Sequence, residues 1–220
     1  MGEVAKLWTE QGPAFWQALL LTWKLTALSF VPGFTLGVLV AVLRLLPLPP
    51  LRGALTVYVE VFRNIPAVAL LIFIVFGLPD LEVVIDYEAS VILALALVCS
   101  AFTADYLRTG FNTVPSTQVE AAMSLGMRPL QIITAIVLPQ ALRSVVQPIT
   151  SLVIALMLST SLASQVPMAG RELTALVSKI ANDAAAGMAA FAVAAVLYVA
   201  TGLAIAWVGA WLEKKLRILR

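Results

Sequence analysis

Glu120–Pro139 reads EAAMSLGMRPLQIITAIVLP, and it is the one long interval of a very apolar chain that does not read as a membrane span. It carries Glu120, Arg128 and Gln131, is broken at Gly126 and Pro129, and becomes continuously apolar only toward its end. Pro115 ends what precedes it. Thr117 followed by Glu120 fits a capping box, in which a hydroxyl and a carboxylate satisfy the free amides of a helix start. Ala121 and Ala122 keep that helix thin. Gly126 suits the left-handed residue that ends it, and Pro129 suits the first turn of the next helix. The expectation is a short helix, a sharp turn and a second helix leading into a span. A thin helix of this kind is shaped to enter a groove on another protein; a plain amphipathic connector is the reading that spacing alone leaves open.

The rest of the chain sets the context. Its 220 residues are 61% hydrophobic and 12% charged, with a mean hydropathy of +1.00. Ordinary soluble domains are about 45–50% apolar and about 25% charged, so a soluble fold of this length has nowhere to hide the apolar surface. A net charge of +2 is too small to imply nucleic acid as a partner. The chain has no histidine, which removes the commonest metal ligand and proton shuttle, and no metal site is expected. The single cysteine, Cys99, lies in the apolar run SVILALALVCSAF and reads as a small core filler. No Cys–base pair or carboxylate cluster is present, so no catalytic residue is expected. No G-x-x-x-x-G-K-[ST] phosphate loop is present either.

Residues 1–16 read as an amphipathic lead-in, with Trp8, Phe15 and Trp16 suited to the water–lipid boundary. Glu3, Lys6 and Glu10 and the length of the apolar run that follows argue against a secretory signal. Five spans follow, at about 17–44, 54–78, 89–111, 139–164 and 188–212, each long enough to cross the roughly 20-residue hydrocarbon core. A basic tail occupies 213–220. Gly33 and Gly37 give the first span a small-xxx-small face for close helix approach, and Lys24 can snorkel to its interface. Arg44 and Arg52, then Arg108, Arg128 and Arg143, then Lys214, Lys215, Arg217 and Arg220 all fall on one side of such a bundle. The other side receives the 79–88 loop, whose charges are Asp80, Glu82, Asp86 and Glu88. The positive-inside rule then puts the N-terminus outside and both the C-terminus and the 112–138 interval in the cytoplasm. The fold class is an all-α integral membrane protein of five transmembrane helices.

Charges within spans mark candidates for a translocation path or gate. Glu60, Arg63 and Asn64 lie in YVEVFRNIP, where a charge costs about 2.5–3.5 kcal/mol at bilayer centre. The i, i+3 spacing of Glu60 and Arg63 allows a pair on one helix face, and Pro66 frees the carbonyl of Phe62. A pore-facing gate and a structural ion pair both fit. Asp105 and Arg108 repeat the spacing at a span end and read as an interfacial pair. The fourth span carries Ser151, Ser159, Thr160, Ser161 and Gln165; single hydroxyls often bond back to their own helix, but the bunching at 159–165 fits a hydrophilic path. Leu173, Leu176, Val177 and Ile180 predict a short amphipathic helix on the outer surface.

Glu120-Ala121-Ala122, then Gly126, Ile136, Leu138 and Pro139, match at every position the E-A-A-x3-G-x9-I-x-L-P signature of ABC importer permeases, and the chain resembles that family over nearly its whole length. It looks most similar to the polar amino acid branch, with YVEVFRNIP after the second turn, PQALR after the signature and TSLAS over Thr160–Ser164. The resemblance implies a type I importer fold, with an ABC transmembrane type-1 permease domain over 17–212. Its ATPase-coupling segment at 117–139 would hold a cytoplasmic coupling helix between spans three and four. It implies two cytoplasmic ABC ATPase subunits as partners, which carry ATP and magnesium, with no cofactor on this chain itself. It also implies a second permease subunit, an extracytoplasmic solute-binding protein, an amino acid substrate and a bacterial inner (cell) membrane. Where the branch usually shows Asn, Lys and Asp in the fourth span, this chain has Ser151, Leu158 and Ser159, and a segment that usually reads like IGVAELT is VPMAGRELT. These departures favour a heteromeric permease pair, in which the other subunit supplies more of the polar site. A secondary carrier, a membrane-embedded enzyme, or an importer of a non-amino-acid solute are the alternatives. Gly126→Asp or Glu120→Lys is expected to spoil assembly or uncouple ATP hydrolysis from uptake.

Overall fold

The computed structural model describes residues 2–184 and 186–216; Arg217 and Arg220 of the basic tail lie outside them. Among the described residues the ordered elements are all helical. Helix α1, Gly2–Leu45, is continuous, so the lead-in and the first span are one helix. Pro13 removes one amide without ending it, because Leu7 and Phe15, on either side of that proline in the chain, are both buried. Helix α2, Pro49–Asn64, opens on two prolines, where a missing amide is harmless. Arg52 reaches back to cap the end of α1, donating from Nε to the Arg44 carbonyl at 3.1 Å and from Nη2 to the Leu46 carbonyl at 3.3 Å.

The second span is not one straight passage. A residue before proline is pushed out of the helical region, and Ile65 takes φ −74°, ψ 132°. The chain resumes as α3, Ala67–Ile72, runs on through a π turn at Phe73–Gly77, and stands bent by 102° from α2. Helix α4, Tyr87–Phe111, is started by Asp86, whose carboxylate accepts from the Glu88 amide at 2.9 Å. Lys24 of α1 pairs with Glu88 at 2.5 Å.

Helices α5, Ser116–Ser124, and α6, Pro129–Ile132, form the hairpin at the start of the interval, and α6 leads through a π turn at Ile133–Val137 into α7, Leu138–Ser144. Helix α8, Val146–Ser159, ends in a 3-10 turn over Thr160–Gln165. The fourth span is therefore interrupted at Val145 and tightened at its end. Helices α9, Leu173–Ala184, and α10, Gly187–Leu216, complete the chain. Among the described residues four stretches are long and apolar enough to cross a membrane, Val4–Leu45, Tyr87–Phe111, Val146–Gln165 and Gly187–Leu216, and the bent α2–α3 pair makes a fifth if it counts as one.

Two compact units share these helices. The first gathers α1 up to Phe30, Pro66–Leu95 and Val153–Ile205. Its core packs Phe15, Ala18 and Leu19 of α1 against Leu173, Leu176 and Ile180 of α9 and Ala190, Val193 and Ala194 of α10. The amphipathic pattern read at 173–180 is thus a packed helix, with its apolar stripe on two neighbours.

The second unit gathers Val31–Ile65, Ala96–Leu152 and the end of α10 from Ala206. Val40, Ala41, Val59, Ala104, Leu107, Ala141 and Val145 form its core. Here α1 meets α4 through the two glycines: a Cβ on Gly33 would stand 2.8 Å from the Ala96 carbonyl, and one on Gly37 would stand 2.6 Å from the Ser100 carbonyl. Cys99 is buried in this contact as a filler. Gly37→Val is expected to lower stability by about 1–3 kcal/mol through overpacking. A thermal melt of the purified chain in detergent measures this, and an unchanged midpoint would contradict the close contact.

Candidate functional site

The α5–α6 hairpin is built by its sequence in a way that the capping-box reading captured only in part. Pro115, not Thr117, is the cap residue of α5, and no side chain caps that end. The helix starts two residues earlier than the box requires, because Pro115 already holds the extended conformation a cap needs, with φ −60° and ψ 135°. Thr117 and Glu120 are left exposed on the helix. The other end matches the sequence reading. Gly126 has φ +75°. The Gly126 amide donates to the Met123 carbonyl at 2.9 Å and the Met127 amide to the Ala122 carbonyl at 3.2 Å, the paired bonds of a Schellman turn. Pro129 opens α6, and the Gln131 side chain accepts from the Arg128 amide at 2.8 Å.

Ala122 faces inward and is buried with Ile132 and Val137, with Phe111, Val114, Val119, Met127 and Ile136 packed around them. Ala121 and Glu120 face out. Gln140 of α7 donates to the Gln118 side chain at 2.7 Å and so ties the start of α5 to the span that follows. Pro139 cannot donate to the carbonyl of Ala135. The chain widens there, with the Leu138 amide reaching the Ile133 carbonyl in a π turn. Ile136, Leu138 and Pro139 therefore shape the entry into α7. At the tip of the hairpin Leu125 is 82% exposed, and Met123 and Leu130 are more than half exposed. A groove of about 500 Å³ runs beside it, lined by Val119, Met123, Met127, Pro129, Ile132 and Val137.

The Glu60–Arg63 pair does not form. Arg63 turns to Asp105 of α4, Nη2 to Oδ2 at 3.1 Å, and lies over the Phe102 ring at 5.6 Å. Glu60 is exposed, and its carboxylate accepts from the Asn64 side-chain Nδ2 at 3.3 Å. The reason is burial: Asp105 is the more enclosed carboxylate, only 14% exposed, and offers a stronger partner to a half-buried guanidinium. Arg108 also pairs with Asp105, at 3.1 Å, as its spacing predicted.

Two of the hydroxyls read as a hydrophilic path, Ser159 and Thr160, bond back to their own helix. Ser151 is exposed on α8 in the second unit. In the first unit, Ser159 donates to the Ala155 carbonyl at 2.8 Å and buried Thr160 to the Met157 carbonyl at 2.7 Å. Ser161 is partly buried, and exposed Gln165 donates to Ser164 at 3.2 Å.

Sequence reasoning passed over Glu172. Its side chain is 1% exposed and caps α9, accepting from the Thr174 and Ala175 amides at 2.7 Å each and from the Tyr198 hydroxyl at 2.9 Å. The readable signal was an acidic residue directly before the amphipathic run; nothing in the sequence pointed to Tyr198. Burial pushes the Glu172 carboxyl above the usual carboxylate range, against the pull of those donors. The native state therefore keeps its proton to higher pH than the unfolded chain, whose Glu titrates near 4.3. Stability falls as pH rises through that window and levels above it. Glu172→Gln is expected to flatten this pH dependence in a thermal melt and, by leaving a donor facing donors, to cost about 1–3 kcal/mol. A variant with the wild-type pH profile would contradict the role of Glu172.

Residues 33–218 match the family described as binding-protein-dependent transport system inner membrane component, and the chain belongs to that family. It is 35% identical over 148 residues, 67% of this chain and 68% of the relative, to the probable glutamine ABC transporter permease protein GlnP of Bacillus subtilis (strain 168). It is 33% identical over 205 residues, 88% and 90% of the two chains, to the glutamate transport system permease protein GluC of Corynebacterium efficiens. A solved structure described as an amino acid ABC transporter with histidines superposes with a TM-score of 0.85 at 25% identity, covering 94% of this chain and 96% of that one. The chain is a membrane permease, a transport component rather than an enzyme.

Proposed function

We propose that this permease forms the translocation path for an amino acid in an ATP-driven importer of the bacterial inner membrane. The observation that carries the energy-coupling part is the α5–α6 hairpin: a rigid Schellman turn that presents Leu125, 82% exposed, between membrane spans. Glu120, Ala121, Ala122 and Gly126 build the turn, and Ile136, Leu138 and Pro139 join it to α7. In this reading the hairpin is the cytoplasmic coupling helix between spans three and four. It docks in a cleft of one of two ATPase subunits, which hold ATP and magnesium and whose closure drives alternating access. The N-terminus lies outside, the C-terminus in the cytoplasm, and 17–212 is one type-1 permease domain. Cargo chemistry is carried by the relatives, which are named for glutamine and glutamate transport.

A binding protein would deliver the amino acid on the outer side. There the first unit offers a cleft of about 1050 Å³, with Lys6, Glu10, Arg171, Lys179 and Asp183 on its rim and Leu7, Ala18 and Ile180 beneath. A second permease subunit completes the path, and Leu158 and Ser159, where the branch usually shows Lys and Asp, favour a homologous rather than an identical one. Co-purification of the tagged chain tests this: two ATPase subunits and one further permease are expected by subunit mass. Uptake of labelled glutamine or glutamate by the reconstituted assembly then tests the cargo. A chain that purifies alone and transports in the absence of ATP would be a secondary carrier.

A further inference from the structure

Three guanidiniums converge in the second unit, and the chain supplies too little negative charge to balance them. Arg44 lies in the last turn of α1 and Arg108 in the last turn of α4. Arg63 is brought to them by Asp105, at 3.1 Å, and by the Phe102 ring beneath it. Asp105 is shared between Arg63 and Arg108. Glu60 is exposed and engaged with Asn64. Arg44 lies within electrostatic range of Arg63, Arg108, Asp105 and Glu60, yet it makes no ion pair among the described residues. Its Nη1, and Nε of Arg63, are buried without an acceptor. Three cations face two carboxylates, and the surplus sits at the ends of two spans.

An uncompensated charge at the edge of the hydrocarbon is costly. The last turn of a span is also where phospholipid phosphates lie, and the planar guanidinium fork matches a phosphate's oxygens. We propose that Arg44, Arg63 and Arg108 form an oxyanion site occupied by the headgroup phosphate of an anionic phospholipid, which supplies the missing negative charge. Arg108, 58% exposed, is the open side of the site. A soluble phosphate has the same chemistry, but the helix-end position favours a ligand anchored in the bilayer. The site depends on neither the cargo nor the ATPase partner proposed above.

The full-length chain in nanodiscs tests this. In phosphatidylcholine containing phosphatidylglycerol, the wild type is expected to melt at a higher temperature than in phosphatidylcholine alone, and to retain phosphatidylglycerol through detergent extraction. Arg44→Gln is expected to retain about five-fold less and to lose the shift in melting. Arg108→Gln gives the same comparison at an exposed position should Arg44→Gln fail to insert. Arg143→Gln, an exposed arginine outside the cluster, is expected to behave as wild type. Equal retention by wild type and both cluster variants would overturn the site, as would an equal loss in Arg143→Gln. A matching melting shift from inorganic phosphate or free glutamate in phosphatidylcholine nanodiscs would overturn the lipid as its source.

Discussion

Gly126→Val is expected to lower solute-stimulated ATP hydrolysis and uptake by the assembled importer about ten-fold or more, while the chain still inserts in the membrane. Gly126 holds φ +75°, and a Cβ there would meet nothing within 4 Å. Bulk is therefore not the obstacle. The left-handed conformation is, at roughly 1–2 kcal/mol for a residue with a Cβ, and β-branching worsens it. Valine would push the turn out of shape and withdraw Leu125 from where it points. Asparagine visits this conformation readily, so Gly126→Asn should keep most of the activity. Gly126→Asp has the same backbone tolerance but adds a charge at the tip. Parallel assays of the Val and Asn variants separate backbone from bulk: equal loss in both would mean that space, not conformation, selects the glycine.

The second large effect is expected at Asp105. Asp105→Ala removes the partner of both Arg63 and Arg108 and leaves Arg63 unpaired among helices. Breaking a buried pair from one side costs about 3–5 kcal/mol; with 29% of the Arg63 side chain exposed, the lower end applies. Glu60→Gln, at an exposed carboxylate held only by Asn64, should cost less than about 0.5 kcal/mol. Unfolding of the purified chain in detergent measures both. A Glu60→Gln loss as large as that of Asp105→Ala would restore the pairing that helical spacing implied and contradict the geometry seen here.

That contrast shows what the sequence could and could not reveal. Local chemistry was legible: Gly126 ending α5, Pro129 opening α6, Asp105 beside Arg108, and Gly33 and Gly37 as the close contact of α1. Each depends on residues a turn or less apart, or on a small side chain that any neighbour can exploit. Thr117 failed as a cap because a proline two residues earlier already supplied the conformation. Arg63 chose Asp105 over Glu60 because burial, which spacing does not report, decides between two carboxylates. The bend at Ile65–Pro66 was announced by its proline, but not its size, which depends on how α3 packs. Glu172 was visible as an acidic residue before a helix, whereas its bond to Tyr198 joins two distant elements. The turn at Gly126–Pro129 was the most legible part of all, since its shape is set by backbone conformation within one short stretch.

The central claim is that the α5–α6 hairpin is where an ATPase subunit drives this permease. Disulfide trapping measures it most directly. Leu125→Cys is introduced at the exposed tip, with the native Cys99 buried and out of reach, and cysteines are scanned across the cleft of the co-purified ATPase subunit. The expected result is a cross-linked pair of permease and ATPase that forms in the assembled importer and blocks uptake until reduced. No cross-link from Leu125→Cys at any scanned position, in an importer that still couples ATP hydrolysis to uptake, would contradict it.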